Sequence, residues 1–425
     1  MNGLVDFLNA SPSRYHAVAN LCRELEKGGY VRLSEGETRP MVPGGTYFVT
    51  RGGSALLAFR IPRADFTGFM ISASHSDAPT FRIKENAELD GPGGYVRLNA
   101  ERYGGMLCAP WLDRPLTVAG RTLVKCGDGI EARLTYVDRD LLMIPNVAIH
   151  MNRTANEGFK YDPKCDMVPL LGMNLEKGAF HAIVARAAGC EPEDILGTDL
   201  CLCLREKAVI WGAEDQFISA PRLDDLQCAW GCFRGFMASG DSASVPVYAI
   251  MDNEEIGSRT KQGAGGTFLI DWMKRICDAV GRERLSAIAN SFLVSADNAH
   301  AVHPNHPEYA DPTHRPAMNG GVVIKHGVRY TTGGVACAVF SDLCGRAGVP
   351  TQHFANRSDL PGGGTLGLIA NTHVSINAVD IGLAQLAMHS CYETAGVKDT
   401  DYLIQAMTAF YNASFREENE RFTLA

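Results

Sequence analysis

The chain has 425 residues, 46% hydrophobic and 21% charged, the balance of a folded globular protein of two or three domains. Its formal net charge of −8 argues against a nucleic-acid partner or an anionic membrane surface. No apolar run nears the ~20 residues of a bilayer span, and the first residues show no signal peptide, so the expected compartment is the cytoplasm.

In chain order, residues 13–28 have the apolar spacing of a helix and end on a glycine stop. Residues 54–61 and 68–74 read as short apolar strands. From 88 to 213 the texture changes to β-leaning segments at 95–100, 121–126, 132–138 and 200–204, with one helix at 174–188. After 214, helices at 223–239, 267–280 and 336–347 alternate with strands at 245–251 and 292–296. A last helix is expected from 400 to about 422. Strands alternating with such helices imply an α/β fold with a mixed, largely parallel sheet sandwiched by helices. The expected domains are a discontinuous one of 1–87 and 214–425, and an inserted β-rich one of 88–213. The thirteen cysteines include no Cys-x-x-Cys pair and read as reduced thiols.

Polar clusters fall where these strands end. His75 and Asp77, in Ser-His-Ser-Asp-Ala-Pro, are two apart, so an extended backbone aims both to one side. They suit a ligand histidine with an orienting carboxylate, or a polar pair after a strand. Asp224 and Asp225 open a helix, as caps or as a metal-bridging acid. Asp252, Glu254 and Glu255 crowd the end of the strand 245–251. Neighbouring residues of an extended chain face opposite ways, so the two glutamates can do different work, while Asp252 has no derivable role. Asp297 is followed by His300 and His303. His389 lies in an apolar stretch that reads as a helix.

Mixed nitrogen and oxygen donors at strand ends suit zinc, cobalt or manganese better than calcium or copper. Two divalent ions would offset the clustered carboxylates. The chain has no Gly-x-Ser-x-Gly elbow, Walker-type loop or His-Glu-x-x-His helix. The glycine-rich stretch Pro361–Thr365 reads as a flexible loop that comes close to a ligand.

The ordered set His-x-Asp, Leu-Asp-Asp-Leu, Asp-Asn-Glu-Glu-Ile-Gly-Ser, Asp-x-Ala-His-Ala-x-His-Pro-Asn and Met-His-Ser closely resembles the aspartyl aminopeptidase family of metallopeptidases. The likeness runs from Phe7 to the last helix. It implies a zinc-peptidase-like catalytic domain with the insert as a dimerisation domain. It also implies two ions, most often zinc: His75 and Asp297 on one, Glu255 and His389 on the other, and Asp224 between them. Glu254 would be the general base, and Asp77 would orient His75. His300, His303 and His314 would line the site, and Lys325 would hold an acidic substrate side chain. Ser358, Asp359 and Gly363 belong to a loop resembling the family's substrate loop. His150 would reach a neighbouring subunit in a dodecamer built from dimers. Three positions depart from the family pattern: Asp225 replaces a common Asn, Ala78 a frequent Ser, and His373 stands where a histidine is unusual. His373 is therefore an alternative to His389. The implied reaction is removal of an N-terminal Asp or Glu from peptides. The alternatives are a two-metal dipeptidase or deacylase, or a catalytically silent scaffold of the same assembly.

Overall fold

The computed structural model describes residues 3–425. A nine-stranded sheet runs through the middle in the order Val31–Leu33, Thr46–Arg51, Ala55–Arg60, Val245–Met251, Phe69–His75, Phe292–Ala296, Asn377–Gly382, Val322–His326, Thr351–Ala355. The four strands from Val245–Met251 to Asn377–Gly382 are mutually parallel, so their C-terminal ends share one edge. The strands Val245–Met251, Phe69–His75 and Phe292–Ala296 are buried at every position, as expected where helices cover both faces.

Helices Leu223–Ala238 and Val397–Asn412 cover one face and Phe268–Val280 the other. Gly231 and Gly235 let the first two approach closely, since a Cβ there would stand 2.5 Å from Leu403 Cδ2 and 2.6 Å from Met407 Cβ.

A second sheet of six strands spans Thr80–Leu204, with every neighbouring pair antiparallel. It has its own core, including Leu98, Leu116, Val118, Leu200 and Leu202. A third, small sheet has the order Val209–Trp211, Phe217–Ala220, Glu393–Gly396, Ala384–Leu386, Ala299–His300.

Three local expectations are corrected. The helix expected at 174–188 begins only at Ala179. Leu170–Met173 is a strand, and Asn174 and Gly178 adopt φ of 51° and 87°, which interrupt a helix. The last helix ends at Asn412, and Phe415–Glu418 then pairs with Arg421–Leu424 as a hairpin, turning through Asn419 and Glu420 at positive φ. The stretch before His389 is the strand Ala384–Leu386, followed by Ala387 and His389 at φ of 56° and 65°. Pairing with Glu393–Gly396 overrides its helix-like composition.

Candidate metal centre

The shared edge of the parallel strands supplies half of the site. His75 is the last residue of its strand, and Asp297 follows Phe292–Ala296. Glu254 and Glu255 follow Val245–Met251 in a short 3₁₀ turn, not in extended chain as expected. The small sheet supplies the other half. Asp224 comes just after Phe217–Ala220, and His389 sits in the connection between Ala384–Leu386 and Glu393–Gly396. Asp224 keeps extended dihedrals (φ −79°, ψ 108°), so it is not a helix cap; it projects into the cavity between the two sheets.

These donors converge as two sets that share Asp224. His75 Nε2 lies 3.4 Å from Asp224 Oδ1 and 3.9 Å from Asp297 Oδ1. His389 Nε2 lies 3.5 Å from Asp224 Oδ2 and 3.5 Å from Glu255 Oε2. Each of the triads His75–Asp224–Asp297 and Asp224–Glu255–His389 has its donor atoms within 4.8 Å of one another. Asp224 therefore turns one oxygen toward each set.

Among the described residues, buried Asp224 Oδ1 and Glu255 Oε1 have no hydrogen-bond partner. Buried, unpartnered carboxylate oxygens, Asp224 Oδ1 among them facing an imidazole nitrogen, fit divalent cations, which would offset their cost.

Electrostatics show how strained this charge is by itself. Burial first, then Asp297, Asp77 and Asp224, push Glu254 up to about 7 against the opposing pull of His75. Burial and Asp224 raise Glu255 well above the usual carboxylate range. Burial opposes charge on His75, yet Asp224, Asp297 and Asp77 together hold its pKa well above normal.

A buried hydrogen-bond frame fixes the donors. His75 Nδ1 donates to the Asp77 carbonyl oxygen at 3.0 Å, which leaves Nε2 facing Asp224 and Asp297. The Asp77 carboxylate, 3.5 Å from that ring, accepts the backbone N–H groups of Glu254 and Glu255 at 3.1 and 3.2 Å and the Tyr103 hydroxyl at 2.7 Å. Asp77 thus holds the glutamate turn as well as the histidine. No motif pointed to Glu393, which is 1% exposed and accepts the N–H groups of Asp224 at 3.0 Å and His389 at 2.8 Å. Nor did any motif reveal Tyr103, which arrives from the second sheet and also accepts from Asn253 Nδ2 at 2.8 Å. Gly104 follows it at φ 78°, where a Cβ would stand 3.1 Å from that of Glu255.

Asp252 now has a place. It is fully buried 3.4 Å from Arg14 Nε, and the Arg14 guanidinium lies over the Tyr103 ring at 4.9 Å. Burial raises Asp252 to about 6 despite Arg14. It anchors the cation that supports Tyr103 behind Asp77. Asp225, beside Asp224, accepts the His75 backbone N–H at 3.0 Å and does not line the cavity.

The cavity over these donors is also lined by His300, Lys325, Tyr330, Phe354, Gly363 and Gly364. Lys325 is 3% exposed, and its Nζ lies 3.6 Å from Asp297 Oδ2. Burial opposes its charge, but Asp297 holds its pKa above normal. His303 and His314 line an adjoining cavity that shares His300, Phe354 and Gly363 with the first. Ser358 and Asp359 are exposed and line neither, and Asp359 pairs with Arg357 at 2.6 Å. His150 and His373 are exposed and away from the cavity.

Residues 7–411 match the family described as aminopeptidase I zinc metalloprotease (M18). The chain belongs to the M18 aminopeptidases. It is 42% identical over 422 residues to a probable M18 family aminopeptidase 2 of Clostridium acetobutylicum, covering 96% of this chain and 98% of the relative. Its fold matches a chain of the Ape4 and Nbr1 complex with a TM-score of 0.93 and 34% identity, over 96% of this chain and 84% of that one. It also matches the mApe1 dodecamer of S. cerevisiae with a TM-score of 0.85 and 28% identity, over 96% and 95%. The protein is therefore a metallo-aminopeptidase of the zinc metalloprotease family, with the α/β fold of M18 structures. No helix among the described residues is long and apolar enough to cross a membrane.

Proposed function

We propose that this M18 aminopeptidase removes an N-terminal Asp or Glu from peptides in the cytoplasm, using two co-catalytic divalent ions. The observation that carries the two-ion reading is Asp224, whose two oxygens face two separate histidine-containing sets. His75 and Asp297 would hold one ion, Glu255 and His389 the other, and Asp224 both; zinc suits the donors, and cobalt or manganese are compatible. Bound ions supply a Lewis acid and acidify water at neutral pH.

The chain's own groups do the rest. Glu254 lines the cavity beside both sets, where its carboxylate can hold a proton. It can accept a proton from the attacking water and deliver it to the departing amine. Asp77 and Tyr103 hold the turn that aims it. The buried ammonium of Lys325, on the same cavity wall, suits a substrate carboxylate, and His300 and Gly363 flank the space it would enter.

The second sheet and its exposed segment around His150 fit an oligomerisation module, in keeping with a dodecamer built from dimers. The S. cerevisiae relative is described as a dodecamer.

The substrate reading is tested by comparing release of aspartate, glutamate and leucine from matched peptides. Acidic residues should be released fastest, and Lys325→Met should raise KM for them and flatten the preference. A wild-type preference for leucine would overturn it.

A further inference from the structure

A second cluster of metal-donor atoms lies away from the cavity. His326 ends the strand Val322–His326, His353 lies in the neighbouring parallel strand Thr351–Ala355, and Cys337 is in the first turn of the helix Gly334–Arg346. One donor atom from each lies within 4.8 Å of the others. The register pairs Ile324 with His353 and His326 with Ala355, so the two histidines stand on one face of the sheet. Lys325 and Phe354, also paired, stand on the other and line the catalytic cavity.

We propose that His326, Cys337 and His353 bind one zinc ion, with water as fourth ligand, at a site separate from the catalytic centre. The geometry is close to what an ion needs. Tetrahedral bonds of ~2.0 Å to nitrogen and ~2.3 Å to sulfur set donors roughly 3.3–3.7 Å apart. His326 Nε2 and His353 Nδ1 stand 2.8 Å apart, and all three side chains are partly or wholly exposed, so small rotations suffice. Two imidazoles with a thiolate select zinc over magnesium, calcium or manganese.

The hydrogen bond between the two rings occupies one nitrogen of each. Among the described residues, Cys337 Sγ has Ser341 Oγ at 3.9 Å as its hydrogen-bond contact, too long to hold the thiol firmly. A bound ion would tie the edge strand Thr351–Ala355 to its neighbour and to the helix. That strand carries Phe354 and leads into the glycine loop of the cavity.

The catalytic donors are nitrogen and oxygen only, so sulfur ligation distinguishes the two sites. Full-chain enzyme loaded with Co²⁺ should show a near-ultraviolet sulfur-to-cobalt charge-transfer band that Cys337→Ser abolishes while aminopeptidase activity persists. Zinc retained after dialysis should fall by one ion per chain in Cys337→Ser and in His353→Ala. No band in the wild type, a band that survives Cys337→Ser, or equal zinc content in all three proteins would overturn the proposal.

Discussion

At the metal centre, His75, Asp77 and Asp224 are at most 2% exposed, and each is held by further buried groups. Around His150, on the second sheet's irregular segment, Val147, Ile149 and Met151 are 54%, 48% and 84% exposed. The first region is packed on all sides within the chain; the second presents exposed apolar side chains. The difference teaches that the metal donors are preorganised by the fold, whereas the outer segment's apolar side chains are left unpacked by it. Tyr103 connects the two, since it belongs to the second sheet yet donates to Asp77.

That contrast can be broken by substitution. The largest effect is expected from Glu254→Gln, which should keep both ions, measured by elemental analysis, while kcat falls about 10²–10⁴-fold. Loss of metal instead would make Glu254 a ligand. Next, Glu393→Gln replaces one of two acceptors with a donor opposite the backbone amides of Asp224 and His389. Metal affinity, read by chelator competition, should weaken about 10–100-fold, and an unchanged affinity would remove Glu393 from the frame.

Tyr103→Phe should be milder. It deletes one hydrogen bond to Asp77 and strands Asn253 Nδ2, costing about 1–3 kcal/mol. We expect kcat to fall about tenfold with KM retained. An equal loss in every kinetic parameter and in Tm would mark a merely structural residue. Smallest in its effect on the fold is Met151→Asp, whose stability should change by about 0.5 kcal/mol or less. Sedimentation should nevertheless show smaller assemblies, and unchanged mass would contradict an interface there.

The donors on the central sheet were legible because each sits within one to four residues of a buried parallel strand's end. There, local sequence and sheet geometry point the same way. His389 was legible as a donor but not as structure. Its apolar neighbours resemble a helix, and pairing with Glu393–Gly396 and Ala299–His300 makes them a strand. The C-terminal hairpin was misread as helix for the same reason: Phe415, fully buried, is fixed by contacts far away in sequence.

By itself, then, the sequence determined which residue types stand at the strand ends, and hence the class of chemistry. The tertiary structure decided how they work together. It set Asp224 between two histidines, placed Glu393 under residues up to 169 positions away, and explained Asp252 through Arg14 and Tyr103. Hydrogen bonds and charge pairs across such separations leave no periodic trace in the chain; they exist only once the sheets have met.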